Sequence, residues 1–165
     1  MTALDHYRGE VGGEAECLTL FSGDMLGPSI ISSVVEGEQH VKPFNAMKVD
    51  AACIGNHELD FGIDRMSEIL TQTMPPQGSC HWVMSNMKEK GMSKTGLGGL
   101  PRTAVIEKGP LLRIGFIGLS EQEWFETFND LDVEVEFLQE KATAAELARQ
   151  LRQDQGCNMV IALTH

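Results

Sequence analysis

Residues 50–62 combine a predicted strand with four side chains that could do chemistry. They read DAACIGNHELDFG, and the apolar run at residues 51–54 is typical of a short buried strand. The run stops at a glycine, and an amide, an imidazole and two carboxylates follow: Asn56, His57, Glu58 and Asp60. Ligands of open α/β sheets bind just beyond the carboxyl ends of strands, so this turn is predicted to be a chemical site. In the alternative interpretation, Asn56 and Asp60 are only turn and capping residues, which leaves His57 and Glu58 unexplained.

Two other predicted strands also end in potential ligands. The apolar run at residues 17–21 leads to Asp24, and the run at residues 157–163 leads to His165. If these strands share one sheet and one polarity with the strand before Asn56, the three side chains meet at one rim. A carboxylate, an amide oxygen and an imidazole suit Mn²⁺, Zn²⁺ or Fe²⁺ better than Ca²⁺ or a thiolate zinc site. A serine triad is the rival use of such groups, but the sequence contains no GxSxG motif.

The elements that must position these groups alternate between strands and helices. Further strands are predicted at residues 82–84, in a hairpin over 103–118, and at a half-exposed edge over 133–137. Helical spacing predicts helices at residues 30–35, 40–48 and 140–155 and after Gly62, with Ile30, Ile31, Val34 and Val35 resting on a sheet. The alternation predicts an α/β class with a largely buried sheet. A length of 165 residues suits one domain and is too short for two.

The overall charge restricts the partners. The formal net charge is −11, which argues against a nucleic-acid partner because phosphate contacts need Lys and Arg. An acidic chain can still bind a phosphorylated small molecule if metal cations supply the positive charge. The four cysteines form no CxxC pair, so we expect a reducing compartment rather than a disulfide framework. Neither a membrane span nor a signal-peptide core is found, and the expected location is cytoplasmic.

Five motifs taken together resemble a known superfamily. GDMLGPS, GNHELDFG, MSNM, GFIGLSE and VIALTH occur in this order between Gly12 and His165. The set resembles the calcineurin-like metallophosphoesterases, specifically their 5′-nucleotidase-like branch. The resemblance implies an α/β fold, a sandwich of two mixed β-sheets flanked by α-helices, incomplete in this chain. It also implies a dinuclear metal centre that hydrolyses phosphate monoesters, with a nucleotide or a similar small molecule as substrate.

The same resemblance implies separate roles for the candidate residues. Asp24 would bridge the two metal ions, and Asn56 and His165 would be ligands of one of them. His57 would stabilise the transition state or assist the leaving oxygen, and Asp60 would orient its ring. Such an arrangement is chemically coherent, because two cations about 3.5–4 Å apart can stabilise both the attacking and the leaving oxygen of a phosphoryl transfer. Glu58 receives no role.

Two motifs of the superfamily are missing from the sequence, namely Asp-x-His on the first strand and Gly-His-x-His after His165. Asp5 and His6 cannot replace the first motif, because adjacent residues of a strand point to opposite faces. We therefore expect residues 1–165 to be a single truncated domain, catalytically impaired, that binds at most one metal ion weakly. Alternatively, the chain is an inactive fragment acting as a weak metal-binding or interaction module. A protein partner could then occupy the sheet edge that the missing strand leaves exposed.

Overall fold

Short strands and helices build the molecule in alternation. The computed structural model describes residues 3–12, 17–125, 131 and 133–165. The helices are α1 Ala3–Glu10, α2 Ser32–Val35, α3 Glu38–Met47, α4 Gly62–Thr71, α5 Gln122–Phe125 and α6 Glu140–Gln153. The strands are β1 Leu20–Phe21, β2 Ala51–Cys53, β3 His81–Val83, β4 Met87–Glu89, β5 Thr103–Lys108, β6 Leu112–Leu119, β7 Val135–Phe137 and β8 Met159–Thr164. Single 3₁₀ turns lie at Asn56–Leu59 and Leu97–Gly99.

The first sheet consists of β1, β2 and β3 in that order, and all its described strands are parallel. Leu20 pairs with Ala51, and Cys53 pairs with Val83. All residues of β2 are buried, which explains why this strand is an unbroken apolar run rather than an alternating one. Because the strands are parallel, the loops that follow β1 and β2 meet at the same edge of the sheet.

The second sheet is mixed. β5 pairs antiparallel with β6, as the predicted hairpin requires, and β6 pairs in parallel with β8. A separate antiparallel pair joins β4 to β7, within the segment predicted as an edge strand.

The two three-stranded sheets face each other across a shared core. Side chains of β2 and β3 contact side chains of β6 and β8, and the buried contacts come from Ala51, Cys53, Val83, Ile114, Phe116 and Leu163. Helices α3 and α4 cover the other face of the first sheet through Phe44, Met66 and Ile69. Helix α6 covers the second sheet through Leu147 and Leu151. The predicted sandwich flanked by helices is therefore confirmed.

One predicted helix face is wrong. The helical spacing at residues 30–35 predicts an apolar face resting on a sheet, but Ile30 is 90% exposed and Val34 is 78% exposed. Helix α2 is only one turn long, and the residue that it buries is Ser32. Ser32 shares hydrogen bonds with Ser29 and Gln39, so a polar network, rather than the apolar residues, fixes this turn to the molecule.

Within the described part of the chain, no helix is both long and apolar enough to span a bilayer.

Candidate active site

Three loops converge at one rim of the sandwich. Asp24 lies three residues after β1, the 3₁₀ turn with Asn56 and His57 follows β2, and His165 follows β8. The structure thus brings together the three predicted metal ligands. The expectation that the three strands share one sheet is wrong, since β8 lies in the second sheet. The residues meet because the two sheets are stacked with these strand ends on the same side.

His165 presents one ring nitrogen to the two other candidate ligands. Its Nδ1 lies 2.6 Å from the carbonyl oxygen of Ser22, which can only accept, so Nδ1 is the protonated nitrogen. In the neutral tautomer, Nε2 then carries a lone pair, 3.0 Å from Oδ1 of Asn56 and 3.5 Å from Oδ1 of Asp24. Both oxygens accept, so two species satisfy this arrangement: a proton on Nε2 that is donated to them, or a cation bound by all three atoms.

His57 and Asp60 form a separate pair beside these ligands. Nδ1 of His57 lies 2.9 Å from Oδ2 of Asp60, and the two side chains are 29% and 25% exposed. If Nδ1 donates to the carboxylate, Nε2 of His57 is the nitrogen available to a bound substrate. The backbone N–H of His57 also donates to Oδ1 of Asp24, at 3.2 Å. The imidazole is therefore fixed relative to the predicted ligands.

Gly55 allows the ligands to come this close. A Cβ atom at this position would lie 2.7 Å from Cε1 of His165 and would also overlap the carboxylate of Asp24. The backbone of Gly55 is extended, with φ −98° and ψ −175°, so a larger residue is excluded by space and not by conformation. Asp24 itself has φ +68°, a left-handed conformation uncommon for a residue other than glycine.

Glu58 is the residue that sequence reasoning missed. Its side chain is fully buried, and its carboxylate accepts backbone N–H groups from Gly55 and from Asp24, Met25 and Leu26. Burial raises the pKa of Glu58, while these four N–H groups act in the opposite direction by stabilising the carboxylate. Gly55 has no side chain, so only half of a capping box forms here, with the Glu58 carboxylate accepting from the Gly55 N–H. A Glu three residues after the N-cap position is the local signal that could have indicated this backbone contact.

Three polar residues at other strand ends serve packing instead. Ser85, Asn86 and Ser120 are buried, and Asn86 exchanges two hydrogen bonds with the backbone of Ser120. The hydroxyl of Ser120 donates to the carbonyl oxygen of Ile54 at 2.9 Å. These contacts join the strand ends of the two sheets beneath the loops that carry the predicted ligands.

Among the described residues, no group of three or more His, Cys, Asp or Glu side chains is arranged to hold a metal ion. The convergent set contains one Asp and one His, and its third member is the amide of Asn56.

Sequence comparison identifies relatives that are much longer than this chain. No protein-family model matches the sequence. The cell wall protein Lmo0130 of Listeria monocytogenes is 28% identical over 162 residues, which cover 87% of this chain and 20% of that protein. A 5′-nucleotidase of Vibrio parahaemolyticus is 26% identical over 166 residues, which cover 99% of this chain and 28% of that protein. The chain thus spans less than a third of the length of these relatives.

Comparison with solved structures identifies the fold. The NAD nucleotidase NadN of Haemophilus influenzae matches with a TM-score of 0.77 and 23% identity, over 98% of this chain and 30% of that chain. The calcineurin-like phosphoesterase YfkN of Bacillus subtilis matches with a TM-score of 0.75 and 19% identity, over 97% of this chain and 50% of that chain. The resemblance predicted from the five motifs is confirmed at the level of the fold.

Proposed function

We propose, on the premise that this chain has the fold of calcineurin-like phosphoesterases and 5′-nucleotidases, that it carries part of the active site of a metal-dependent phosphate monoester hydrolase. The observation that carries the proposal is the convergence of His165 Nε2 with the Oδ1 atoms of Asn56 and Asp24 at 3.0 and 3.5 Å. With Nδ1 bonded to the carbonyl oxygen of Ser22, an unprotonated Nε2 and these two accepting oxygens would together hold a cation.

Asp24, Asn56 and His165 would hold the metal ion, and their mixed chemistry favours Mn²⁺, Zn²⁺ or Fe²⁺. When bound, a divalent cation polarises a phosphoryl oxygen and lowers the pKa of bound water. The orientation of His165 is already set by its hydrogen bond to Ser22, the kind of outer contact that fixes the tautomer of metal-binding histidines.

His57 and Asp60 would act on the substrate rather than on the metal. The carboxylate of Asp60 fixes the orientation of the His57 ring through Nδ1. His57 Nε2–H would donate to the phosphoryl oxygens or to the leaving oxygen, which needs a proton when the ester bond breaks. An alcohol that leaves protonated avoids the cost of a free alkoxide.

A nucleotide-like phosphomonoester is the substrate class that we propose. The support is the Vibrio parahaemolyticus relative, which is named a 5′-nucleotidase. The net charge of −11 favours a small substrate neutralised locally by metal over a nucleic acid bound along a basic surface. A cytoplasmic location stays a prediction, and one relative is a cell wall protein.

The described ligands are enough for one cation only. Asp24 would bridge to a second metal ion, for which the described residues offer no further cluster of His, Cys, Asp or Glu. We therefore propose that residues 1–165 alone bind one divalent ion weakly and have impaired activity. A weak metal-binding or interaction module without catalysis is the second candidate, favoured by this same shortage of ligands.

Titration of residues 1–165 with Mn²⁺ in a calorimeter separates these possibilities. One weak site that is lost in Asp24→Asn supports the single-ion proposal, and two tight sites contradict it. Phosphate release from a panel of nucleotides with Mn²⁺, measured on the longest available protein that contains this chain, tests the hydrolase. The absence of release from every ester leaves the metal-binding module as the better account.

A further inference from the structure

Glu58 is a fully buried carboxylate that neither the metal site nor the His57–Asp60 pair uses. Its oxygens accept hydrogen bonds from the backbone of the loops that carry the converging ligands. A buried carboxylate is tolerated only where its charge is compensated. Here four backbone N–H groups compensate the charge. The position of these donors depends on the path of the main chain and not on the side chains of the donating residues.

These N–H groups belong to two loops that are distant in the sequence. Oε2 accepts from Gly55 and, at 2.8 Å, from Asp24. Oε1 accepts from Met25 and, at 3.2 Å, from Leu26. One carboxylate therefore joins the loop after β1 to the loop after β2, immediately behind the predicted ligands Asp24 and Asn56.

The contact is reciprocal. Glu58 accepts from the backbone of Asp24, and the carboxylate of Asp24 accepts from the backbone of His57, the residue before Glu58. Each carboxylate therefore forms a hydrogen bond to the backbone of the other loop. The left-handed conformation of Asp24 persists where surrounding contacts impose it, and three consecutive N–H groups bound to Glu58 supply that constraint.

We propose that Glu58 is a positioning residue that holds the Asp24 and Asn56 loops in their metal-binding arrangement before a metal ion arrives. The proposal rests on the metal site proposed above, and Glu58 itself does not touch the ion. Preorganisation matters here because a site with only three ligands loses affinity if binding must also order two loops.

The first test compares Mn²⁺ affinity in residues 1–165 by calorimetry for the wild type, Glu58→Gln and Glu121→Gln. Glutamine keeps the shape of Glu58 but turns an NH₂ group toward backbone N–H groups, so half of the contacts are lost. We expect Glu58→Gln to keep its far-UV circular dichroism and to bind Mn²⁺ about 10- to 100-fold more weakly, the range found for outer contacts of metal ligands. Glu121→Gln removes an exposed charge near His165 and controls for charge alone, so its affinity should stay close to that of the wild type.

Asn56→Ala makes the two possible failures distinguishable. If Asn56→Ala weakens binding and Glu58→Gln binds like the wild type, the positioning role is overturned and the metal site stands. If Asn56→Ala binds like the wild type, the proposed metal site itself is wrong.

Hydrogen exchange of the metal-free wild type provides a test that needs no variant. We expect the amides of Asp24, Met25, Leu26 and Gly55 to be protected to a degree similar to the amides of β2. Fast exchange at these four positions without metal overturns the proposal, even if Glu58→Gln fails to fold.

Discussion

Nε2 of His165 lies 3.0 Å from Oδ1 of Asn56, although 109 positions separate the two residues in the sequence. The contact crosses from the second sheet to the first, since His165 follows β8 and Asn56 follows β2. The relative placement of the two sheets therefore sets the proposed ligand distances. A change in the core between the sheets, at Cys53 or Phe116 for example, acts on the site through this placement.

Loss of the Asn56 amide should abolish most metal binding. Residues that contact a metal ligand without touching the metal contribute about 10- to 100-fold to metal affinity. A direct ligand should contribute at least as much as the upper end of that range. Asn56→Ala is therefore expected to bind Mn²⁺ at least about 100-fold more weakly than the wild type. Calorimetry measures the change. Asn158→Ala, which removes an amide bonded to the backbone near the β5–β6 hairpin, is the matched control and should leave the affinity unchanged. Equal affinities in the two variants would contradict the ligand assignment.

Substitution of His57 should lower the catalytic rate and leave the metal content of the protein unchanged. In an active protein that contains this chain, His57→Ala is expected to lower kcat about 10²- to 10⁴-fold, the usual contribution of a positioned general acid. Metal content, measured by elemental analysis, should stay near that of the wild type. A collapse of metal content instead identifies His57 as a ligand.

Asp60→Asn tests the partner of His57 without removing the ring. Because Oδ2 of Asp60 accepts from Nδ1 of His57 at 2.9 Å, the carboxylate orients the ring, and the amide of Asp60→Asn can turn an NH₂ group toward Nδ1 instead. In an active protein that contains this chain, Asp60→Asn is expected to lower kcat by no more than His57→Ala does and to leave metal content near that of the wild type. An unchanged kcat contradicts the pairing.

A methyl group added at Gly55 should disrupt the candidate site by steric overlap. Cβ would overlap the carboxylate of Asp24 and approach Cε1 of His165 to 2.7 Å, and overpacking of this kind costs about 1–3 kcal/mol. Gly55→Ala is thus expected to lower both the free energy of unfolding and the Mn²⁺ affinity. Gly9→Ala, in α1 with no atom within 4 Å of its added Cβ, is the control and should have neither effect. Normal Mn²⁺ binding by Gly55→Ala would show that the close approach is not required.

Trp82 should be a main contributor to the stability of the first sheet. Its ring is fully buried, stacks on Phe44 at a centroid distance of 5.5 Å, and donates from Nε1 to the hydroxyl of Thr73 at 2.9 Å. Trp82→Phe should lower the free energy of unfolding by about 1–3 kcal/mol through lost contacts and the lost hydrogen bond. Urea unfolding followed by circular dichroism measures it. Trp124→Phe, at a side chain 55% exposed, should change stability by less than about 0.5 kcal/mol.

The cysteines should differ sharply in reactivity. Burial, with smaller contributions from the charges of Glu58 and Asp24, raises the pKa of Cys53 to about 12, and burial also raises the pKa of Cys80. Since the thiolate is the reactive form, both groups stay protonated and slow to react at pH 8. The half-buried Cys17 should therefore be the first thiol to react with an aromatic disulfide reagent, and all four should react in guanidinium chloride. Fast modification of Cys53 or Cys80 in the folded protein contradicts the burial described here.

Local sequence was sufficient to predict most elements and to single out the candidate residues. The apolar run before Gly55 predicted β2, and the helical spacing after Gly62 predicted α4, which buries Met66, Ile69 and Leu70. Burial of one face gives apolar residues a regular spacing that is visible in the sequence. The polar turn after β2 identified Asn56, His57 and Asp60 as candidates, since buried strands end at ligand-binding rims. The five motifs identified the fold. These features depend on neighbours within a few positions, which a single sequence displays.

Only the tertiary structure decided which surfaces and contacts these residues form. Ile30 and Val34 have the spacing of a buried helix face, yet they are exposed because α2 is a single turn fixed by buried Ser32. The placement of His165 beside Asn56 required the stacking of two sheets, a contact between distant parts of the chain. Glu58 could not receive a role from the sequence, because its partners are backbone N–H groups and every residue type except proline offers the same donor. Residue types and spacing therefore determined which residues are candidates, and long-range packing determined which of them meet.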